Sequence, residues 1–232
     1  MTSSLQTEIT RKLITNAKSA GASLAGVTSV ASLRNSPYYK SHEKFELPEE
    51  AKSILVLALV HEASDPKLDW WSDQKGGTPG NLRLINTLEN LRQWLNEKYD
   101  VKTRALSYHI ERGGIPLKDA AVLAGLGIIG RNNLLITPEF GPHVRLKAMC
   151  LDTVLDSAEP LDFNPCGTCE MPCVKACPQE TFAPGSFTRE SCRIQMSKDE
   201  ASKTKSQSAI DGSLIEVVKY CRACELSCTA AK

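Results

Sequence analysis

The stretch CGTCEMPCVKACP, residues 166–178, decides the reading of this chain, together with Cys192 and CRACELSC, residues 221–228. Eight of the nine cysteines lie in these segments. Two sets of four thiolates are what two 4Fe-4S clusters require, and a proline directly after the last cysteine of a run, here Pro178 after Cys177, is a ferredoxin mark. Disulfides and zinc are the competing readings. Disulfides need an oxidising compartment, and the opening residues MTSSLQTEITRKLITNAKSAG have neither an apolar signal core nor a twin-arginine pattern, so a reduced, cytoplasmic chain is expected. Zinc suits paired C-x2-C knuckles, whereas the first run crowds four cysteines together. In two-cluster ferredoxins the fourth cysteine of a run ligates the other cluster. On that rule Cys166, Cys169, Cys173 and Cys228 hold one cluster, and Cys177, Cys192, Cys221 and Cys224 hold the second. Both runs depart from the common form, since Pro172 adds a residue between Cys169 and Cys173 and Thr229 stands where a proline is usual.

A domain boundary is expected near residue 158. The segment 159–232 is short and poor in large apolar residues, with Phe163, Phe182, Phe187, Ile194, Leu214, Ile215, Val217, Val218 and Leu226 as its core candidates. Such a piece needs staples, which the clusters would supply, so metal loss is expected to unfold it first. The polar stretch MSKDEASKTKSQSAIDGS, residues 196–213, reads as an exposed, partly mobile loop. Paired clusters on interlocked ligand sets have electron transfer as their default role.

Residues 1–158 alternate between helical and strand periods, which predicts an α/β layer around a mostly buried sheet. Leu5, Ile9, Leu13, Ile14 and Ala17 form one face of an opening helix that should stop near Gly21. ILVLALV, residues 54–60, is apolar on both faces, as a central strand is. Asn81 is placed to cap a helix carrying Leu84, Ile85, Leu88, Leu91 and Leu95 on one stripe. Val101–Tyr108, Asn133–Thr137 and Val144–Leu155 read as strands, and Pro116 opens the short helix LKDAAVLAG. Cys150 shares a strand face with Val144, Leu146 and Ala148 and is expected to be buried and inert. At 232 residues and a net charge of +1, no strong phosphate-binding face is indicated, and no apolar stretch approaches the length of a membrane span.

Gly125, Gly127 and Gly130 match G-x-G-x-x-G, but a helix pattern precedes them and a strand pattern follows, the reverse of the dinucleotide fingerprint. What remains is a loop without side-chain bulk. The stretch AGLGIIGRNNLLI, residues 124–136, followed by the eight cysteines, resembles the epoxyqueuosine reductases and, more distantly, the reductive dehalogenases. The resemblance covers residues 117–228 and implies a nitroreductase-like, corrinoid-binding α/β domain followed by a small ferredoxin-like domain with two 4Fe-4S clusters. It further implies base-off cobalamin lined by Gly125, Leu126, Gly127, Gly130, Arg131 and Asn132, with the nearer cluster feeding electrons to cobalt. A ferredoxin- or flavodoxin-type electron donor would serve as partner, and the substrate would be a small molecule or a corrinoid protein.

Two departures bear on substrate. Epoxyqueuosine reductases carry an aspartate three residues before the proline that opens this helix, where this chain has Gly113, with Glu111 nearby. The chain also ends four residues after Cys228, without the helical repeats of many relatives, so a tRNA substrate is expected to be doubtful. The main expectation is an oxidoreductase that passes low-potential electrons to cobalt; the alternatives are an electron carrier without corrinoid and an epoxyqueuosine reductase acting on tRNA. Trp70 and Trp71 are expected to pack in the core, Tyr108 to pack on the sheet, and His109, His143 and Arg145 to face solvent.

Overall fold

A computed structural model describes residues 3–37, 39, 46–182, 187–208 and 210–230. The chain divides into two compact units, each assembled from three segments: residues 1–59, 83–128 and 145–163 in the first, 60–82, 129–144 and 164–232 in the second. The cysteine-bearing unit thus includes two stretches that precede the cysteines by many residues.

The first unit is an α/β layer. Helix α1 (Ser3–Ser19) leads through Gly21, whose φ of 108° suits only glycine, into strand β1 (Leu24–Ser29). Helix α2 (Val30–Arg34) follows, capped by Ser29, whose Oγ accepts the Ser32 N–H at 2.9 Å. The apolar run forms β2 (Ser53–Val60), antiparallel to β1 with Leu24 opposite Ala58. Helix α3 (Pro79–Tyr99), edge strand β3 (Thr103–Ala105), helix α4 (Leu117–Leu123) and strand β6 (Val144–Leu151) complete the layer, in sheet order β1-β2-β6-β3. β2 is therefore interior, which is why it is apolar on both faces. On one face Leu55, Leu57 and Met149 pack with Ile9, Leu13 and Ala17 of α1 and Leu84, Leu88, Leu91 and Leu95 of α3. α2 and α4 contact β1, and there the approach is close enough that a Cβ on Gly26 would lie 2.2 Å from the Ala124 carbonyl oxygen.

The structure corrects several boundaries. α3 is capped by Thr78, whose Oγ1 accepts the Asn81 N–H at 3.1 Å, while the Asn81 amide donates to the Gly76 carbonyl at 2.6 Å. The Val101–Tyr108 strand shrinks to three residues, and Tyr108, 69% exposed, stands edge-on to His109 instead of packing on the sheet. β6 ends at Leu151, and residues 133–137 yield only β5 (Leu135–Ile136), paired with β4 (Ile128–Ile129).

In the second unit, described parts of the stretch expected to be a loop form regular structure. Helix α6 (Arg189–Ala201) takes its first part, and β7 (Thr204–Gln207) pairs antiparallel with β8 (Leu214–Val217). Side-chain amides stand in for apolar burial, with Gln179 donating to Gln195 and Gln195 to Asp199 along the helix. Of the core candidates only Phe182, Val217 and Val218 are buried; Ile194, Leu214 and Leu226 are more than half exposed, because a two-stranded hairpin covers one face at most. Short helices α5 (Pro172–Lys175) and α7 (Ala223–Leu226) carry Cys173 and Cys224. Among the described residues no helix is long and apolar enough to cross a membrane.

Candidate metal centre

Thiols in the second unit gather in two groups of four. One cavity is bordered by Cys166, Cys169, Cys173 and Cys228. Burial raises the Cys173 thiol, and the Cys228, Cys169 and Cys166 thiols beside it push the same way; Cys228 is raised by burial and by Cys166 and Cys169. In the other group burial drives Cys224 up to about 12, reinforced by Cys221, Cys177 and Cys192. Cys192 is likewise raised by burial and by Cys177 and Cys221. The neighbours within each group are those that the ferredoxin rule pairs. Among the described residues no group of three or more His, Cys, Asp or Glu is set to hold a metal ion. Four sulfurs bordering a cavity fit a polynuclear body bonded at its corners, as a 4Fe-4S cluster is.

Donors reach some of these sulfurs. The Met171 N–H donates to Cys169 Sγ at 3.4 Å and the Thr229 hydroxyl lies 3.6 Å away, which together hold the Cys169 thiol below its usual range. At Cys177, whose Sγ–H donates to Thr181 Oγ1 at 3.1 Å, burial pushes upward, but the contacts with the Thr181 side chain and with the Thr181 N–H, which donates to the sulfur at 3.4 Å, prevail and lower the thiol. Hydrogen bonds of this kind favour the thiolate and tune a cluster's potential.

Around the Cys221–Cys224 segment lies a buried ionic cluster that sequence reasoning missed. Arg222 Nη1 sits 2.9 Å from Asp69 Oδ2, and its Nε is 3.0 Å from Glu225 Oε2. Two histidines complete it: His61 Nδ1–H donates to Asp69, and His143 Nδ1–H donates to Glu225 Oε1 at 2.9 Å. His61 Nε2 is 3.6 Å from the same Glu225 oxygen. All five side chains are at most 16% exposed, so His143 is not the solvent-facing residue expected. Asp69 closes the 3-10 turn Pro66–Asp69 and His143 precedes β6, both 82 or more positions from Glu225, so only the folded chain could reveal the set. Trp71 pairs with Val218 through both backbone groups, at 2.9 and 2.8 Å, and Lys219 Nζ lies 4.2 Å from the Trp70 ring centre; both indoles are half-buried, not core.

The glycine loop splits between the units. Gly125, Leu126 and Gly127 belong to the first, where Gly125 (φ 70°) closes α4: its N–H donates to Val122 O and the Leu126 N–H to Ala121 O, a Schellman cap. Gly130, Arg131 and Asn132 belong to the second, and a Cβ on Gly130 would meet Ile136 Cγ1 at 2.6 Å. A helix precedes the motif and a strand follows it, so the dinucleotide reading falls. Gly113 has φ 77° at the end of the 3-10 turn Ile110–Arg112, and the side chain of Glu111 lies outside the described residues. Cys150 is buried, and burial pushes its thiol up, as an inert core cysteine requires.

The chain combines an α/β layer in one unit with eight cysteines in the other. No family model matches the chain. It is 28% identical over 145 residues to the epoxyqueuosine reductase of Bacillus anthracis, covering 58% of this chain and 37% of that protein. The Synechocystis epoxyqueuosine reductase is 30% identical over 143 residues, 59% of this chain and 48% of the relative. The tetrachloroethene reductive dehalogenase of Sulfurospirillum multivorans is 33% identical over 115 residues, 48% and 23% of the two chains. This chain therefore spans less than half the length of these relatives. Its fold is similar to that of an epoxyqueuosine reductase crystallised with an epoxyqueuosine-modified tRNA-Tyr stem loop (TM-score 0.67, 22% identity, 96% of this chain, 65% of the other) and to a catabolic reductive dehalogenase (TM-score 0.65, 14% identity, 84% and 30%). The chain is epoxyqueuosine reductase-like in sequence and in fold.

Proposed function

We propose that the chain is an iron-sulfur oxidoreductase whose eight cysteines hold two 4Fe-4S clusters and deliver single electrons to a base-off cobalamin. The observation that carries this reading is the sorting of the thiols into two groups of four inside one unit, Cys166, Cys169, Cys173 and Cys228 in one and Cys177, Cys192, Cys221 and Cys224 in the other. When bound, the clusters supply low-potential electrons and the corrinoid supplies the reducing metal. The chain's own residues bind and tune: the Met171 and Thr181 N–H groups stabilise sulfur charge, and the Arg222 clamp fixes the Cys221–Cys224 segment. Backbone at Gly125, Leu126, Gly127 and Gly130 is the part offered to the corrin, on the strength of the resemblance. In functional terms residues 1–158 form the corrinoid-binding part and 159–232 the ferredoxin-like part, served by a ferredoxin- or flavodoxin-type donor.

Among reductive reactions, the relatives favour the epoxyqueuosine type over the open-ended one, and the relative solved with a tRNA stem loop supports a nucleic-acid substrate. Gly113 at the expected aspartate position requires that the proton come from another group. The test is anaerobic turnover: reconstituted chain, cobalamin, a strong reductant and an epoxyqueuosine-bearing stem loop should yield queuosine. A stoichiometric base-off cobalamin spectrum without queuosine would restrict the function to reduction of another substrate or of a corrinoid protein. No cobalamin spectrum at all would leave the electron carrier without corrinoid.

A further inference from the structure

We infer that Arg131 and Asn132, which the resemblance gives to the corrinoid, serve the two thiol groups instead: Arg131 is the cation beside the Cys166, Cys169, Cys173 and Cys228 group, and Asn132 braces the Cys221–Cys224 segment. The inference rests on the cluster reading above. All the residues involved belong to one compact unit.

Gly130 to Asn133 form a turn whose shape its own packing dictates. The Asn133 N–H donates to Gly130 O at 2.9 Å, Asn133 takes φ 57°, and Gly130 has no room for a side chain against Ile136. Its two middle residues border the cavity that the four sulfurs of the first group share. Arg131 Nη1 lies 3.2 Å from Met171 Sδ, and Met171 sits between Cys169 and Cys173, donates its N–H to Cys169 Sγ and holds a left-handed φ of 58°. The guanidinium therefore stands at a residue whose left-handed backbone presents a donor to the Cys169 sulfur.

Asn132 is 3% exposed and uses both ends of its amide: Oδ1 accepts the Leu134 N–H at 3.2 Å and Nδ2 donates to the Cys224 carbonyl at 3.4 Å. Arg131 thus contacts the Met171 that lies between two cysteines of the first group, and Asn132 the backbone of a cysteine of the other. A fixed positive charge stabilises the reduced, more negative state of a nearby cluster, and a brace on the ligand segment governs how firmly its cluster is held.

Full-length protein is reconstituted anaerobically with iron and sulfide, assayed for iron, and titrated without cobalamin while each cluster is followed by electron paramagnetic resonance. Arg131→Gln should lower the potential of one cluster and leave the other in place, and Arg131→Lys, which keeps the charge, should restore most of the shift. Asn132→Ala should lose the iron of the other cluster to chelator about tenfold faster, with Asn132→Ser as a milder variant if the first fails to fold. Cobalamin affinity should stay within about twofold in every variant. Clusters indifferent to both substitutions, with cobalamin affinity falling by about tenfold or more, would overturn the inference and return the pair to the corrin. Parent protein that takes up no iron would overturn the cluster reading first, and is seen in the iron assay.

Discussion

The two units are held together by opposite means. In the first, Ile54, Leu55, Val56, Leu57 and Ala58 are completely buried in a run, and leucines from two helices close over them. In the second, the large apolar side chains buried among the described residues are Leu68, Leu135, Ile136, Phe182, Val217 and Val218, scattered over three segments, and beside them lie the buried Cys173 and a five-member ionic cluster. Apolar burial is non-directional and tolerates repacking. Thiols and buried charges are stable only when each partner is present, so the second unit is conditional on its ligands in a way the first is not.

The largest effect should come from metal removal. Chelation of iron is expected to erase hydrogen-exchange protection in α6, β7 and β8 while β2 and α3 keep theirs; equal loss in both units would abolish the contrast. Next, Arg222→Gln leaves Asp69 and Glu225 as uncompensated buried charges, and should cost about 3–5 kcal/mol in the stability of the second unit by chemical denaturation. Leu57→Ala opens a cavity in the first unit and should cost about 2–5 kcal/mol there without altering iron content. Smallest is Gly125→Ala, which forces a side chain into a left-handed cap with its Cβ 3.0 Å from the Glu159 carbonyl oxygen; a cost of about 1–2 kcal/mol should lower the thermal midpoint of the first unit and spare the second.

Legibility in the sequence follows the same divide. Periodicity located α1, β2, α3 and α4, since each buries one regular face or both. β1, LAGVTS, carried too weak a pattern to be read, because its middle residue is a glycine kept bare for α4. The cysteine spacing suggested two groups of four, each drawing one cysteine, Cys228 or Cys177, from the other run. Strand β7 falls within the stretch expected to be a loop because its backbone pairing needs no apolar side chains, and its residues are Thr204, Lys205, Ser206 and Gln207. His61, Asp69 and His143 gave no signal at all, because their partners are far along the chain and no motif fixes the spacing.

The most direct test is the metal itself. Anaerobically reconstituted protein should contain about eight iron and eight sulfide per chain and show the Mössbauer signature of two 4Fe-4S clusters. Zinc in their place, or four iron with half of the cysteines open to alkylation, would contradict the account.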